Sequence, residues 1–326
     1  MRYLLSRLGL YLVALWGSLT INFLLPRLAP GDPASSLLSR MSGDLTPAQV
    51  NALRVLYGVN TRVPLVRQYL IYLGNLAHGN LGISITYFPT TVSAVIRSAI
   101  LWTVLLGTLS VAIGFVIGVS LGILVAWRRA TVVDSVVTPS TVFLASVPYF
   151  WLATAVVFLF AVKLHWFPME HSYSDTAVPS FSFGFAGDVI SHAFLPVATI
   201  VAVSVGNWLI VMRSTMISVL SEDYVTMATA KGLSSMRIAL TYAARNALLP
   251  VTTSAGIAVG FIVSGALLTE IVFSYAGVGY ILYNAVEGLD YPLIQGLLLI
   301  ITVVVLSVNF IVDLFYVVLD PTVRRP

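Results

Sequence analysis

Few residues in this chain of 326 have the type and spacing to do chemistry. His165, His171 and His192 share one stretch, but no pair has the i,i+4 spacing of a helical metal site. There is no cysteine to join them. They read as surface or interfacial histidines, and no metal ligand is assigned. No Gly-x-x-x-x-Gly-Lys loop is present to cradle a phosphate, and neither His-Glu-x-x-His nor Gly-x-Ser-x-Gly occurs. No catalytic residue is assigned. Two groupings remain. Ser204, Asn207, Thr253 and Ser264 are neutral polar residues inside apolar runs. They fit hydrogen bonding across packed helices first, with the wall of a pathway as the alternative. Glu270 and Asp313 stand near the ends of such runs, where structural pairing or hydration is favoured over a transport role.

The second grouping suits recognition rather than reaction. Ser221-Glu222-Asp223 has the form of a helix start: a capping hydroxyl, then acids favoured by the helix dipole. Tyr224 to Lys231 makes two turns of helix, and Gly232 follows as a left-handed terminator. Ser234 can cap a second helix, from Ser235 to about Leu249, ahead of Pro250. The product is a helix, a glycine corner and a second helix. Met227, Ala228, Leu233 and Met236 are available to fill a groove, and Arg237 and Arg245 face water or another protein. Helix connections usually run about 2–8 residues, so this segment is more than a link.

The elements that position these residues follow from charge spacing. The chain is 58% hydrophobic and 9% charged; soluble domains carry about 25% charged residues. This excludes a water-soluble enzyme, a disordered chain and a disulfide-stapled domain. Runs of 19, 30, 28, 24, 24 and 22 uncharged residues follow Arg7, Arg97, Asp134, Asp188, Arg245 and Asp290. About 20 apolar residues span a bilayer as helix, and lipid leaves their backbone groups no other partner. The expectation is an all-α integral membrane protein with six transmembrane helices. Ten basic residues fall on one side: Arg2, Arg7, Arg128, Arg129, Arg213, Lys231, Arg237, Arg245, Arg324 and Arg325. By the positive-inside rule both termini are cytoplasmic. The net charge of +4 is explained by this placement and calls for no nucleic-acid partner. The first apolar run is long for a signal peptide and is expected to be retained.

The resulting organisation is a transmembrane helix over 1–27, an external loop over 28–97, and a core over 98–326 with five spans and the cytoplasmic loop 213–249. In the external loop, Pro30-Gly31-Asp32-Pro33 is a turn, and Thr46-Pro47 opens a helix that Gly58 would close. Another helix starts near Pro64 with the stripe Leu65, Tyr69, Tyr72, Leu73 and Leu76. It suits the membrane interface or a cap on the bundle. The loop from His165 to Val189 brings Trp166 and Phe167 to an aromatic belt. Gly114, Gly118 and Gly122 have the small-residue spacing of close helix packing.

The run from Glu222 to Leu233, with Ala243-Ala244-Arg245-Asn246-Ala247-Leu248-Leu249-Pro250, resembles the inner-loop motif of bacterial ABC importer permeases. Where the broad motif carries Glu-Ala-Ala, this chain has Thr226-Met227-Ala228 and so lacks that acid. The spacing from Gly232 to Pro250 is similar to the oligopeptide, dipeptide and nickel branch. Val147-Pro148-Tyr149-Phe150-Trp151-Leu152, Gly277-Val278-Gly279, Asp290-Tyr291-Pro292 and Leu319-Asp320-Pro321 resemble the same branch, in order along the predicted spans. The turn at Pro30 and the external loop look like the first of its two paired permeases.

The resemblance implies a type I permease bundle in the cytoplasmic membrane of a prokaryote, with half of a translocation pathway in one chain. It implies three partners besides lipid: a second homologous permease, ATP-binding subunits and an external substrate-binding protein. ATP and Mg2+ belong to the ATPase subunits, and no cofactor is expected in this chain. Coupling to those subunits falls to Tyr224, Met227, Ala228, Lys231, Gly232, Leu233 and Arg237. The resemblance favours short peptides as cargo, with oligosaccharides or nickel chelates open to the same machinery. An ion-gradient transporter is the competing class. It would place charges near the midplane and show repeated halves, and neither is evident. A membrane enzyme has no motif to support it.

Overall fold

The computed structural model describes residues 2–28, 63–260 and 266–319. The turn expected at 30–33, the helix expected over 47–58, Ser264 and residues 320–326 lie outside them, as do the side chains of Thr253 and Asp313. The described residues are helical apart from turns and one bridge, Ile83 to Thr91. Four helices are long and apolar enough to cross a membrane: Arg7–Leu25, Val92–Trp127, Phe183–Leu220 and Tyr291–Ile311. A fifth crossing comes from the pair Val132–Ser146 and Tyr149–Lys163 if it is one span, although the two halves meet at 96°. The uncharged run after Arg245 holds a helix over Arg245–Gly260 and the start of another over Leu267–Val272, with 261–265 outside the described residues.

Contacts divide the chain into two units. The first takes the described residues up to Thr103 and from Ala276 onward. It contains α1 (Arg2–Leu28), α2 (Leu65–Ala77), the first three turns of α3 (Val92–Trp127), α11 (Val278–Glu287) and α12 (Tyr291–Leu319). α1 packs along α12, where Tyr11 meets Phe310 edge-on. The expected amphipathic helix is α2. Its Tyr69 and Tyr72 pack against Phe23 of α1, and burial, reinforced by Tyr69, pushes the Tyr72 phenol up to about 12. Leu65, expected on the same stripe, is exposed instead; α2 meets α1 through Gln68, which accepts from Arg27 Nε, and through Tyr69 and Tyr72. The core is apolar side chains of α3, α11 and α12: Val92, Ile96, Ala99, Val278, Ala285, Leu293 and Leu297. Asp290, fully buried, accepts from Leu293 N at the start of α12 and from Ser84 Oγ and Thr86 N in the loop closed by the Ile83–Thr91 bridge. One carboxylate thus caps a helix and anchors the loop in front of it.

The second unit runs from Val104 to Tyr275. It holds the rest of α3, α4 (Val132–Ser146), α5 (Tyr149–Val156) with a π-helical continuation over Val157–Lys163, and α6 (Phe183–Leu220). It then holds α7 (Asp223–Ala230), a short turn α8 (Ser235–Arg237), a π-helical stretch over Ile238–Ala244, α9 (Arg245–Gly260) and α10 (Leu267–Val272). Gly114, Gly118 and Gly122 bring α3 against α6. A Cβ on Gly118 would stand 2.4 Å from Trp208 Cβ and 2.9 Å from Val205 O. Gly206 does the same between α6 and α4, where a Cβ would lie 2.6 Å from Thr141 O. Without these glycines the backbones could not approach so closely.

Two expectations are corrected. The run after Asp134 was expected to be one helix, and it breaks at Val147-Pro148. Val147 adopts φ −69° and ψ 129°, the extended conformation a following proline imposes. Pro250 was expected to end the second helix of the inner loop. The helix instead continues through it, from Ser235 to Gly260. Proline removes one backbone donor, and the long apolar helix retains its path through packing against α6.

Candidate functional site

The loop expected on the inner side folds as a knob with its own core. Val225 and Ala228 of α7 meet Ile238 across the corner, and Trp127, Val219, Leu220, Leu233 and Tyr242 close around them. The corner is Gly232, at φ +72°, where an added Cβ would meet nothing within 4 Å. The left-handed turn, rather than crowding, is what calls for glycine there. Leu233 N bonds back to Ala228 O and Gly232 N to Thr229 O, closing the end of α7. The expected side-chain caps are absent: Ser221 Oγ donates to Ser218 O behind it, and Glu222 and Ser234 occupy the cap positions with no side-chain bond.

The seven residues predicted for coupling divide into two groups. Tyr224, Met227, Lys231, Gly232 and Arg237 are exposed. Ala228 is 2% exposed and Leu233 is half-buried, and both pack in the knob's own core. Sequence periodicity over two turns could not separate these roles. Tyr224 is positioned by Asn246, whose Nδ2 donates to the phenol oxygen at 2.9 Å. Met227 and Met236 are 59% and 69% exposed on the knob, and Leu240, one turn after Met236, is exposed as well. Leu240 and Asn246 were not singled out from the sequence, because their pairing depends on how the second helix folds back.

The knob is continuous with the membrane helices that carry it. Val219 and Leu220 at the end of α6 belong to its core. Behind it, Met212 and Met216 of α6 pack with Ala239, Ala243, Ala244, Ala247 and Val251. A bidentate pair fixes the same region: Arg213 on α6 donates from Nε and from one terminal nitrogen to both carboxylate oxygens of Asp134 on α4, at 3.1 and 2.9 Å. Asp134 also accepts from Thr138 and from Ala130 N. The sequence showed Asp134 as the boundary of an uncharged run and Arg213 as one of the basic residues on one side, with nothing to pair them.

The neutral polar set is partly assembled. Ser204 and Asn207 line a cavity of about 360 Å³ with Ser110, Trp208 and Ser254. The three serines donate back to their own helices, to Leu106 O, Val201 O and Pro250 O. Asn207 is exposed, and its amide has no partner among the described residues. Thr253 lies on α9 with its side chain outside the described residues, and Ser264 lies outside the described residues altogether. Glu270, noted at a span end, is fully buried on α10. The histidines form no metal-holding group among the described residues. His192 lies in α6 with Nδ1 against Asp188 O, and His171 faces Asp175 at 3.4 Å.

Known proteins resemble this chain along nearly its whole length. Residues 118–325 match the family described as binding-protein-dependent transport system inner membrane component. The chain is 33% identical to the di/tripeptide transport system permease protein of Pseudomonas aeruginosa, over 99% of this chain and 98% of that one. It is 30% identical to the dipeptide transport system permease protein of Escherichia coli K12, over 100% and 99%. It is 33% identical to the oligopeptide transport system permease protein of Haemophilus influenzae, over 99% of each. The helices long enough to cross a membrane, the knob they carry and the matched residues lead to one assignment: this chain belongs to the inner membrane component family of binding-protein-dependent transport systems.

Proposed function

We propose that this chain is one of two paired permeases in an ATP-driven importer of short peptides, that it forms half of the pathway, and that its knob seats in an ATPase subunit. It would cross the membrane six times with both termini in the cytoplasm, and receive cargo from an external binding protein. The observation that carries this reading is the knob. Its core is satisfied within the chain, yet Met227 and Met236 project at its tip with no partner surface of their own. Exposed methionines beside a polar rim suit a groove in another protein. That groove belongs to an ATPase because the relatives are permeases of peptide transport systems and because this chain has no phosphate loop.

The energy would pass from knob to pathway through α6. ATP-driven closure of the ATPase subunits moves the knob; Val219, Leu220, Met212 and Met216 are packed to it and must follow. Asn207 and Ser204 lie one to two turns further along α6, at the cavity. An unpartnered amide there costs free energy against lipid and is satisfied by water or by a peptide's own amides. We assign Asn207, Ser204 and the neighbouring serines to the pathway wall on this ground.

The test is co-expression with the partner subunits, reconstitution into vesicles, and ATP-dependent uptake of a labelled tripeptide. Met227→Glu with Met236→Glu leaves the knob core untouched and should abolish uptake while the chain still inserts. Uptake and ATPase activity at unaltered rates in that double variant would remove the coupling role.

A further inference from the structure

Where α2, the loop after it and the first turns of α12 meet, the first unit holds a cavity of about 350 Å³ that the transport reading does not use. Tyr72, Asn75, Asn80, Ile83, Thr91 and Gln295 are among its walls, and none of its described lining residues is charged. Ordinary ligand pockets begin at roughly 300 Å³. The loop that forms one wall presents a strand edge. Its bridge consists of Val92 N donating to Gly82 O at 3.1 Å and Ser84 N donating to Thr90 O at 3.0 Å. Ile83 lies between these two bonds, so its own N–H and C=O point to the other edge of the strand. Neither has a partner among the described residues.

The side chains around that edge are uncommitted in the same way. Asn75 makes no side-chain hydrogen bond among the described residues. Asn80 uses only Oδ1, which accepts from Gly82 N at 3.0 Å. Gln295 uses only Nε2, which donates to Asn22 O at 3.5 Å. The Tyr72 hydroxyl is buried and has no partner among the described residues. Water can serve the exposed carboxamides, whereas a buried hydroxyl left unpaired costs free energy. Neutral donors and acceptors thus surround a strand edge that is itself open.

We propose that this cavity receives an extended, uncharged segment of the external binding protein, which pairs with Ile83 as an added strand. The proposal rests on the importer reading and on the orientation that puts the end of α1 and the start of α12 outside. Strand addition draws its affinity from main-chain hydrogen bonds at an open edge. A carboxamide carries the same donor and acceptor as a peptide group, so Asn75, Asn80 and Gln295 can serve an incoming main chain beside Ile83. The lack of charge among the described lining residues selects the source. A free di- or tripeptide brings an ammonium and a carboxylate within a few residues of each other, and burying them against neutral walls is costly. A segment inside a longer protein has no such ends.

The test uses the whole importer in nanodiscs and the purified external binding protein. Tyr72→Phe removes a hydroxyl with no partner among the described residues, so the thermal midpoint of the complex should not fall. Binding of the external protein should nonetheless weaken roughly threefold in Tyr72→Phe and roughly tenfold in Asn75→Leu, with Asn75→Gln closer to the unaltered complex. Unchanged affinity in Tyr72→Phe and Asn75→Leu, in complexes that still import peptide, would overturn the strand site and leave the importer reading standing. An unaltered complex that neither binds the external protein nor imports peptide would overturn both. Photocrosslinking identifies the occupant. Ile71 lines the cavity and is 53% exposed, so benzoylphenylalanine can replace it. The label should join to one segment of the external protein, located by mass spectrometry. Crosslinks confined to residues 29–62 of this chain, to a labelled tripeptide or to lipid, or none at all, would each overturn the proposal.

Discussion

Gly118 and Gly114 sit one turn apart on α3 and should respond differently to the same methyl group. At Gly118 a Cβ meets Trp208 Cβ at 2.4 Å and Val205 O at 2.9 Å, atoms that move only if α6 moves. At Gly114 the nearest atom is Ser204 Oγ at 2.7 Å, the end of a short side chain that can rotate. Overpacking costs about 1–3 kcal/mol in a well-packed core, more where backbone must shift. Gly118→Ala should therefore lower the thermal midpoint of the purified chain by several degrees, and Gly114→Ala by clearly less. Equal midpoints for the two variants would mean that α3 and α6 are not packed this closely. The spacing of these glycines was readable in the sequence, because small residues four apart share a helix face. Their partners were not, since nothing local links position 118 to Trp208. The same limit applied to the knob. Gly232 announced a helix end by its residue type alone, whereas burial of Ala228 depends on Ile238 arriving from the next helix.

At the scale of elements, the crossing of α4 by α6 rests on a charge pair and a glycine contact. Arg213 binds Asp134 with two hydrogen bonds, and Gly206 lies against Thr141 O seven residues earlier on α6. A bidentate fork has geometry that lysine cannot copy. Arg213→Lys should lower peptide uptake, and Arg213→Asp should lower it further. Asp134→Arg combined with Arg213→Asp should recover a substantial part of what either charge reversal loses. A double variant no better than the worse single would separate the pair from function. The bend at Val147-Pro148 is the element-level feature that hydropathy missed. A count of uncharged residues measures how far a chain could cross lipid; it contains no direction, and only the Val147-Pro148 dipeptide carried the turning signal. Gly232 gives a second element-level prediction. At φ +72° with open space around it, asparagine should be tolerated there and valine should not. Gly232→Val should reduce ATP-driven uptake several-fold more than Gly232→Asn, with insertion into the membrane unchanged in both.

For the whole molecule, the decisive quantity is the side of the membrane on which each loop lies. The proposed mechanism requires the knob and the Asp175 loop to lie on opposite faces, because α6 joins them and crosses once. α6 has 38 residues, roughly 57 Å of helix, which exceeds the full bilayer and leaves both ends outside the hydrocarbon. The proposed direction rests on the basic residues near its knob end, Arg213 and Lys231. The absence of cysteine makes this directly measurable. In intact cells that produce this chain without its ATPase partners, a membrane-impermeant maleimide should label Asp175→Cys and leave Met227→Cys unmodified until the membrane is opened with detergent. Met227 is exposed in the chain, so lack of reaction before opening reports the membrane rather than burial. In the assembled complex an ATPase subunit should shield Met227→Cys even after opening, and stripping that subunit should restore labelling. Labelling of Met227→Cys in intact cells would put the knob outside, where no ATP-driven partner could reach it, and the coupling mechanism would have to be abandoned together with the orientation.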